Sequence, residues 1–454
     1  MKKIFLLSLL VLAFYSATAQ NYYMLVPEGF GANATGGGTA TATNTVTVSN
    51  YADFIAAIKS TDPKTVLVSG EITRSTAIDA SVLVKNKTII GLPGAKLVNT
   101  IQTKTESGIL YLKQGSDNVI IRNLIFEGPG AWDIGGEDNL TVDGCTNLWI
   151  DHCEFQDGID GNLDFKNNAD NITVSWCKFV YNKAPKLTGY EDKGTPDHRF
   201  SDLIGSAKDN SPIDGHFSIT FQNCYWAKGC KERMPRARNA ELHILNCYYN
   251  TDAANSVGIG LGGGTKGSTC FIENTNFAQI KTVFKNYDSQ DTGTSVVTYK
   301  GSIQGASSTS IQNSETTVTM PYNCLVMPVE YVATSVANPI CGAGATLNVT
   351  TDGTISPCAN LGTQENSVST KEPQMKLFPT TVQTSLDVYL SDNLTGEIFV
   401  DIYTVFDAKV FSYVKKDRVP GEKITFNLAD LAPGVYLCTV TTKETTLTSK
   451  FTKE

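Results

Sequence analysis

NLWIDHCEF (147–155), NITVSWCKF (171–179), SITFQNCYW (218–226) and ELHILNCYY (241–249) are four copies of one phrase. Each reads apolar, any, apolar, two polar, Cys, any, aromatic. The phrase is present earlier as NVIIRNLIF (118–126) and later as TCFIENTNF (269–277), with Leu124 and Thr275 in the Cys slot. The aromatic ends at Phe126, Phe155, Phe179, Trp226, Tyr249 and Phe277 are 23 to 29 residues apart, except for a gap of 47, which reads as about two units. Alternation of apolar and polar residues specifies strand rather than helix. A β-rich unit this short cannot bury its own apolar face, so units must stack. The period predicts an all-β chain built on a right-handed parallel β-helix, against a β-sandwich with coincidental Cys spacing.

Outward from this stretch, the chain has 454 residues, longer than a usual single domain, but a solenoid grows along one axis and escapes that limit. A net charge of −8 gives no sign of nucleic-acid binding. Lys2 and Lys3, the apolar run Ile4–Tyr15 and the small-residue site Ala17-Thr18-Ala19 lay out a signal peptide over residues 1–19. That run is too short to span a bilayer, so the mature chain is expected to be exported and not transmembrane. Eleven cysteines in an exported protein suggest disulfides. Yet Cys153, Cys177, Cys224 and Cys247 share one repeat register, and a buried stack of free thiols reads at least as well. Cys341 and Cys358 lie outside the repeats and suit a bridge. No Cys-x-x-Cys or His-x-x-x-His spacing argues for zinc.

Residues 20–362 are expected to hold the β-helix, with its core running to about residue 345. After the glycine-rich GFGANATGG (29–37), NYADFIAAIKS reads as a short helix capped by Asn50, placed to cover the open end of the solenoid. Residues 363–375 read as a polar linker. From 376 to 454 the chain changes to strands separated by turn residues, a small antiparallel β-sandwich. Its KLFPTTVQTSLDV (376–388), LADLAPGVYLCTV (428–440) and terminal SKFTKE resemble the C-terminal sorting domain of the type IX secretion system. The resemblance implies the type IX secretion machinery as a partner and a secreted or cell-surface location.

Two constellations carry chemistry. Asp160, Asn162 and Asp164 alternate in DGNLD, so an extended chain projects them to one side, and Asp138 is a third core carboxylate. Oxygen ligands clustered so suit a hard cation such as calcium, although any one of them could be a solvated turn carboxylate. KGCKERMPRAR (228–238) packs Lys228, Lys231, Arg233, Arg236 and Arg238 into an acidic chain. Pro235 restrains the backbone between Arg233 and Arg238, and planar guanidinium forks recognise carboxylates; a solvated basic loop is the equal alternative. His152, in the WIDH phrase, reads as a structural histidine.

Together these residues resemble the pectate lyase family, polysaccharide lyase family 1. NLWIDHCEF, DGNLDFKNNADNITVSWCKF (160–179), DHRFSDLIGSAKD (197–209) and the R-x-P-x-x-R of RMPRAR (233–238) are similar to its ordered motifs. The resemblance implies a calcium-dependent enzyme that cleaves polygalacturonate or pectin by β-elimination; separately, the chain is expected to be a monomer. It places Asp138, Asp160 and Asp164 on calcium-ligand positions, Arg233 on the base that takes the C5 proton, and Arg238 on a substrate contact. A further upstream carboxylate of the family reads Gly136 here, with Glu137 beside it. The family's substrate-binding lysine has Arg199 nearest, after an insertion from Lys183 to Asp197, with Lys186 as competitor. From the residues alone Arg233 is an electrostatic clamp, since arginines keep their proton. The rival readings are a calcium-independent pectin lyase, a polygalacturonase-type hydrolase, which needs an acid and a base carboxylate, and a non-catalytic β-helix adhesin.

Overall fold

Each copy of the phrase folds as strand, bend, strand. The computed structural model describes residues 22–191, 196–316, 318–356, 375–378, 381–390, 396–404, 408–418, 423–443 and 446–454. The expected signal peptide and nearly all of the expected linker lie outside them. The chain forms two compact units, Met1–Thr363 and Gln364–Glu454.

The first unit is a parallel β-solenoid. Among the described residues its strands form sheets of ten, eight and nine strands, each turn giving one strand to each sheet. Thr146–Asp151, Asp170–Ser175, Phe217–Gln222 and Ala240–Leu245 lie side by side in the ten-stranded sheet. The residue after each strand, His152, Trp176, Asn223 or Asn246, takes a left-handed φ of 48° to 57°. Asparagine tolerates that conformation best, hence the polar second slot of the phrase. The bend turns the Cys slot inward: Cys153, Cys177, Cys224 and Cys247 are buried free thiols. The aromatic that follows enters the nine-stranded sheet. Phe126, Phe155, Phe179, Trp226, Tyr249 and Phe277 stack with centroids 4.5 to 5.4 Å apart. Each such pair contributes about 0.5–1.5 kcal/mol beyond its buried area, so the ladder reinforces the register along the axis.

The gap of 47 is one turn and not two. Asp170–Ser175 pairs directly with Phe217–Gln222, and Lys178–Val180 with Tyr225–Trp226. The extra length lies in two long excursions, between Val180 and Leu203 and between Ile204 and Phe217, and sequence distance alone does not separate a second coil from a long loop.

The helix Tyr51–Lys59 starts at Asn50, whose side chain accepts the Asp53 N–H at 3.0 Å, and it buries Phe54, Ile55 and Ile58 in the main core. The solenoid does not run to residue 345. Its last strand is Ile303–Gln304, and the chain then returns along the outside of the ten-stranded sheet. Met327 N–H donates to Asn246, Gly344 N–H to the Trp176 carbonyl and Leu347 N–H to Asn123. The helix Val329–Val336 covers Trp149, Trp176 and Tyr248 together with Met24. Gly31 lies against the same sheet, where a Cβ would come within 2.6 Å of the Leu148 carbonyl and the Thr173 N–H, so only glycine fits. His152 is buried beside Asp151, Nδ1 to Oδ2 2.9 Å, and Arg122 shares that carboxylate at 2.7 Å. Cys341 is disulfide-bonded; Cys358 lies outside the described residues.

The second unit has a sheet of three strands, Met375–Phe378, Ser385–Leu390 and Lys423–Asn427, and one of five. Gly396–Thr404, Lys409–Arg418, Gly434–Thr441 and Thr446–Lys453 are antiparallel, and the short Thr381–Val382 joins them in parallel. Leu386, Val388, Ile398, Val400, Phe426, Cys438 and Phe451 form their shared core.

Candidate active site

The eight-stranded sheet collects the chemistry. In it Leu140–Asp143, Leu163–Lys166, Leu203–Ile204 and Arg236–Ala237 are consecutive neighbours. Asp138 lies just before the first of these strands, Asp164 on the second, and Arg233 on the segment leading into the last. On Leu163–Lys166, Leu163 and Phe165 face the core, and alternation turns Asp164 to the other face.

Asp138 and Asp164 are buried, and a Cβ built on Gly161 would come 2.6 Å from Asp138 Oδ1 and 3.2 Å from Asp164 Oδ1. Burial, then the nearby Asp164 and Asp160, push the Asp138 carboxyl well above the usual range. Burial pushes Asp164 up to about 7, although Arg233 and the Leu203 N–H, 2.9 Å from its Oδ1, pull it down. Burial raises Asp160 too, but His198 and Arg233 outweigh it and hold this carboxyl below the usual range. His198 Nε2 stands 2.6 Å from Asp160 Oδ1, and its Nδ1 lies 3.6 Å from Asp133. Neither ring nitrogen is well aimed for a directed hydrogen bond.

The even alternation expected across DGNLD does not hold. The chain bends at Ile159 and Asp160. Asn162 points inside, accepting the Gly158 N–H at 3.1 Å and the Asn139 amide at 2.9 Å. It satisfies buried backbone and amide groups rather than joining the carboxylates.

A cation fits this donor set on physical grounds. Asp138 Oδ1 is buried with no hydrogen-bond partner, and the space beside Gly161 is open to both carboxylates only because that residue has no Cβ. Hard oxygen donors of this kind suit calcium. Among the described residues, however, no three carboxylate, imidazole or thiol groups stand as a finished metal cage.

Arg233 takes a φ of 58° and carries its guanidinium 4.4 Å from the centre of the Phe200 ring. The bridge between Phe200 and Glu232 and the hydrogen bond from Asp202 N–H to the Arg233 carbonyl, 2.7 Å, hold this segment beside the insertion. Among the described residues none forms a salt bridge with Arg233. Of its fellow cations, Lys231, Arg236 and Arg238 are occupied. Arg238 Nε donates to Asp291 Oδ1 at 2.8 Å and its Nη1 to the Gly205 carbonyl at 2.7 Å. Arg236 is buried, bonded to the other Asp291 oxygen and stacked 3.9 Å from the Tyr287 ring. Lys231 faces Asp197 and the Ala254 carbonyl. The five cations of KGCKERMPRAR therefore do not converge on one ligand.

Arg199 grips Asp197 with Nε and Nη2, each bond 2.7 Å, and Lys186 is exposed with its Nζ 3.2 Å from the centre of the Trp132 ring. Residues that sequence reasoning missed here are Asp133, His198, Phe200 and Asp291. Asp133, His198 and Phe200 come from loops and Asp291 ends the short helix Asp288–Asp291, and no spacing relates them to the repeats.

Residues 13–346 match the family model described as pectate lyase, and residues 376–454 match that of the secretion system C-terminal sorting domain. A pectate trisaccharide-lyase of Thermotoga maritima is 34% identical over 193 residues, covering 41% of this chain and 45% of that protein. A pectate lyase of Emericella nidulans is 32% identical over 218 residues, covering 46% and 57%. The chain spans about half the length of these relatives. Among solved structures, a Paenibacillus pectate lyase superposes with a TM-score of 0.55 at 18% identity, covering 71% of this chain and 96% of that one. A Bacillus subtilis pectate lyase gives 0.51 at 21%, covering 72% and 98%. These likenesses show a shared fold.

Proposed function

Because the chain belongs to the pectate lyase family, we propose that it is an exported, calcium-dependent lyase that cleaves 1,4-linked galacturonan by β-elimination. The carrying observation is that Asp138 and Asp164 flank Gly161, with Asp160 and Arg233 close enough to act on them electrostatically, and that Arg233 has no salt-bridge partner among the described residues. Asp138, Asp160 and Asp164 would hold the calcium ion, which supplies positive charge beside the uronate carboxylate. The C5 proton of the sugar is weakly acidic because its neighbour is an anion, so the site must offset the charge that builds up there. Once its guanidinium has released a proton to solvent, Arg233 accepts the C5 proton at the freed nitrogen. The C5–H electrons form the C4=C5 double bond, the C4–O bond breaks, and the leaving oxygen takes a proton from solvent. Phe200 supports the Arg233 side chain from one side and leaves the other to the sugar. Arg238, oriented by Asp291, serves as a uronate contact. Arg199 and Lys186 are weaker candidates for a further contact, since one is spent on Asp197 and the other on Trp132.

The sorting domain supports export to the cell surface or medium through the type IX machinery. The deciding experiment is to follow unsaturated product from polygalacturonate, with and without chelator. Product that vanishes in chelator and returns with calcium is expected. New reducing ends without unsaturation would mean hydrolysis instead. Full activity in chelator, greatest on methylated substrate, would mean a pectin lyase.

A further inference from the structure

A cavity of about 60 Å³ lies on the N-terminal side of Asp138, lined by Arg74, Ala80, Tyr111, Glu137, Asp138 and Thr141 among others. It is roomy enough for a carboxylate group or a few waters, not for a sugar ring. Arg74 is the one cation lining it. Its side chain is only 6% exposed, and its Nε is buried with no hydrogen-bond partner. One Nη1 bond goes to the Gly108 carbonyl at 2.9 Å, while the nearest carboxylate oxygen, of half-exposed Glu137, stays 3.7 Å away. A buried guanidinium with an idle donor is costly unless a partner arrives, and its planar fork matches a carboxylate. Of the other acids, Asp79 is 72% exposed and faces Lys113 at 3.7 Å. The cavity is also in line with the catalytic cluster. Ser81, Tyr111, Thr141 and Asp164 are register partners on successive turns, three strand spacings or about 14 Å in all.

We propose that this cavity is a further uronate subsite, in which Arg74 receives the carboxylate of a galacturonate residue that lies beyond the bond being cleaved. The inference rests on the lyase reading, and Glu137 acts in it as the weak internal competitor for Arg74.

The test uses the full mature chain at saturating calcium, comparing wild type, Arg74→Gln and Glu137→Gln on polygalacturonate and trigalacturonate. Arg74→Gln should raise KM for the polymer about tenfold, the worth of one charge-assisted pair, with kcat within about twofold, and leave the trimer nearly unaffected. Glu137→Gln should lower KM for the polymer about threefold by freeing Arg74. Equal rises on both substrates, or unchanged KM in folded variants, overturn the subsite while the lyase reading stands. If Arg74→Gln fails to fold, Glu137→Gln decides: a lower polymer KM supports the subsite and an unchanged one overturns it. If wild type forms no unsaturated product, the lyase reading falls, and calorimetric binding of hexagalacturonate judges the subsite alone. Tenfold weaker binding by Arg74→Gln then supports it, and equal or absent binding overturns it.

Discussion

The guanidinium of Arg233 rests 4.4 Å from the centre of the Phe200 ring, joining the basic loop to the end of the insertion. The left-handed backbone at Arg233, φ 58°, is a conformation that a long side chain adopts only when its surroundings impose it.

Arg233→Lys keeps a charge but loses the planar fork and its reach. Steady-state kinetics should show kcat lower by at least about a hundredfold with KM nearly unchanged, the scale of a base or transition-state donor. Phe200→Leu should cost about fivefold in kcat, since it removes only the support beneath the guanidinium. A raised KM with kcat preserved in Arg233→Lys would reduce that arginine to a binding residue.

Asp164 couples activity to stability with a definite sign. Its folded carboxyl, pushed up to about 7, compares with about 3.9 in an unfolded chain. Between those values the folded protein binds a proton that the unfolded chain has lost, so stability falls as pH rises through the window and stays lower above it. Without metal, Asp164→Asn should therefore melt a few degrees above wild type at pH 8 and level with it at pH 4. The same variant should be inactive and gain no thermal stability from calcium. A lower melting temperature than wild type at pH 8 in chelator would contradict this electrostatic picture.

Asp291 is the shared counter-ion of Arg236 and Arg238. Asp291→Ala leaves two guanidinium groups without their partner, one of them buried, and should cost about 3–5 kcal/mol of folding stability by denaturant titration. Assayed well below its melting temperature, the variant should show a raised KM, because Arg238 loses its orientation. An unchanged KM would mean that Arg238 does not touch the substrate.

A chain ended near Thr363 should keep kcat and KM within about twofold of the full chain, since the candidate site belongs wholly to the first compact unit. Expressed in a host with type IX secretion, it should no longer reach the cell surface. A folded but inactive product would show that the sorting domain takes part in catalysis.

The repeat made the coil legible because every turn must solve the same problem: bend, bury a small residue, stack an aromatic. Cys153, Cys177, Cys224 and Cys247 satisfy the second demand, and the ladder from Phe126 to Phe277 the third. The helix cap at Asn50 was legible for a similar reason, being a bond between residues three apart. The 47-residue gap was misread because loops carry no period, and the return of residues 321–349 over the ten-stranded sheet leaves no periodic signature either.

By itself the sequence determined the stacking architecture, the later change to antiparallel strands, and which residue types are candidates for the chemistry. Those depend on local bends and on periodic burial, which repeat in the one-dimensional pattern. Which groups meet was decided only by the tertiary structure. Stacking the turns brings Asp138 and Asp164 to one side of Gly161, and the insertion carries His198 to Asp160 and Phe200 to Arg233. The same stacking sends Arg238 to Asp291, 53 residues away, leaving Arg233 as the arginine of its motif that no acid holds among the described residues. Electrostatic partners are chosen by distance in space, and in a solenoid that distance depends on the pitch of the coil and the course of its loops, which the order of residues does not display.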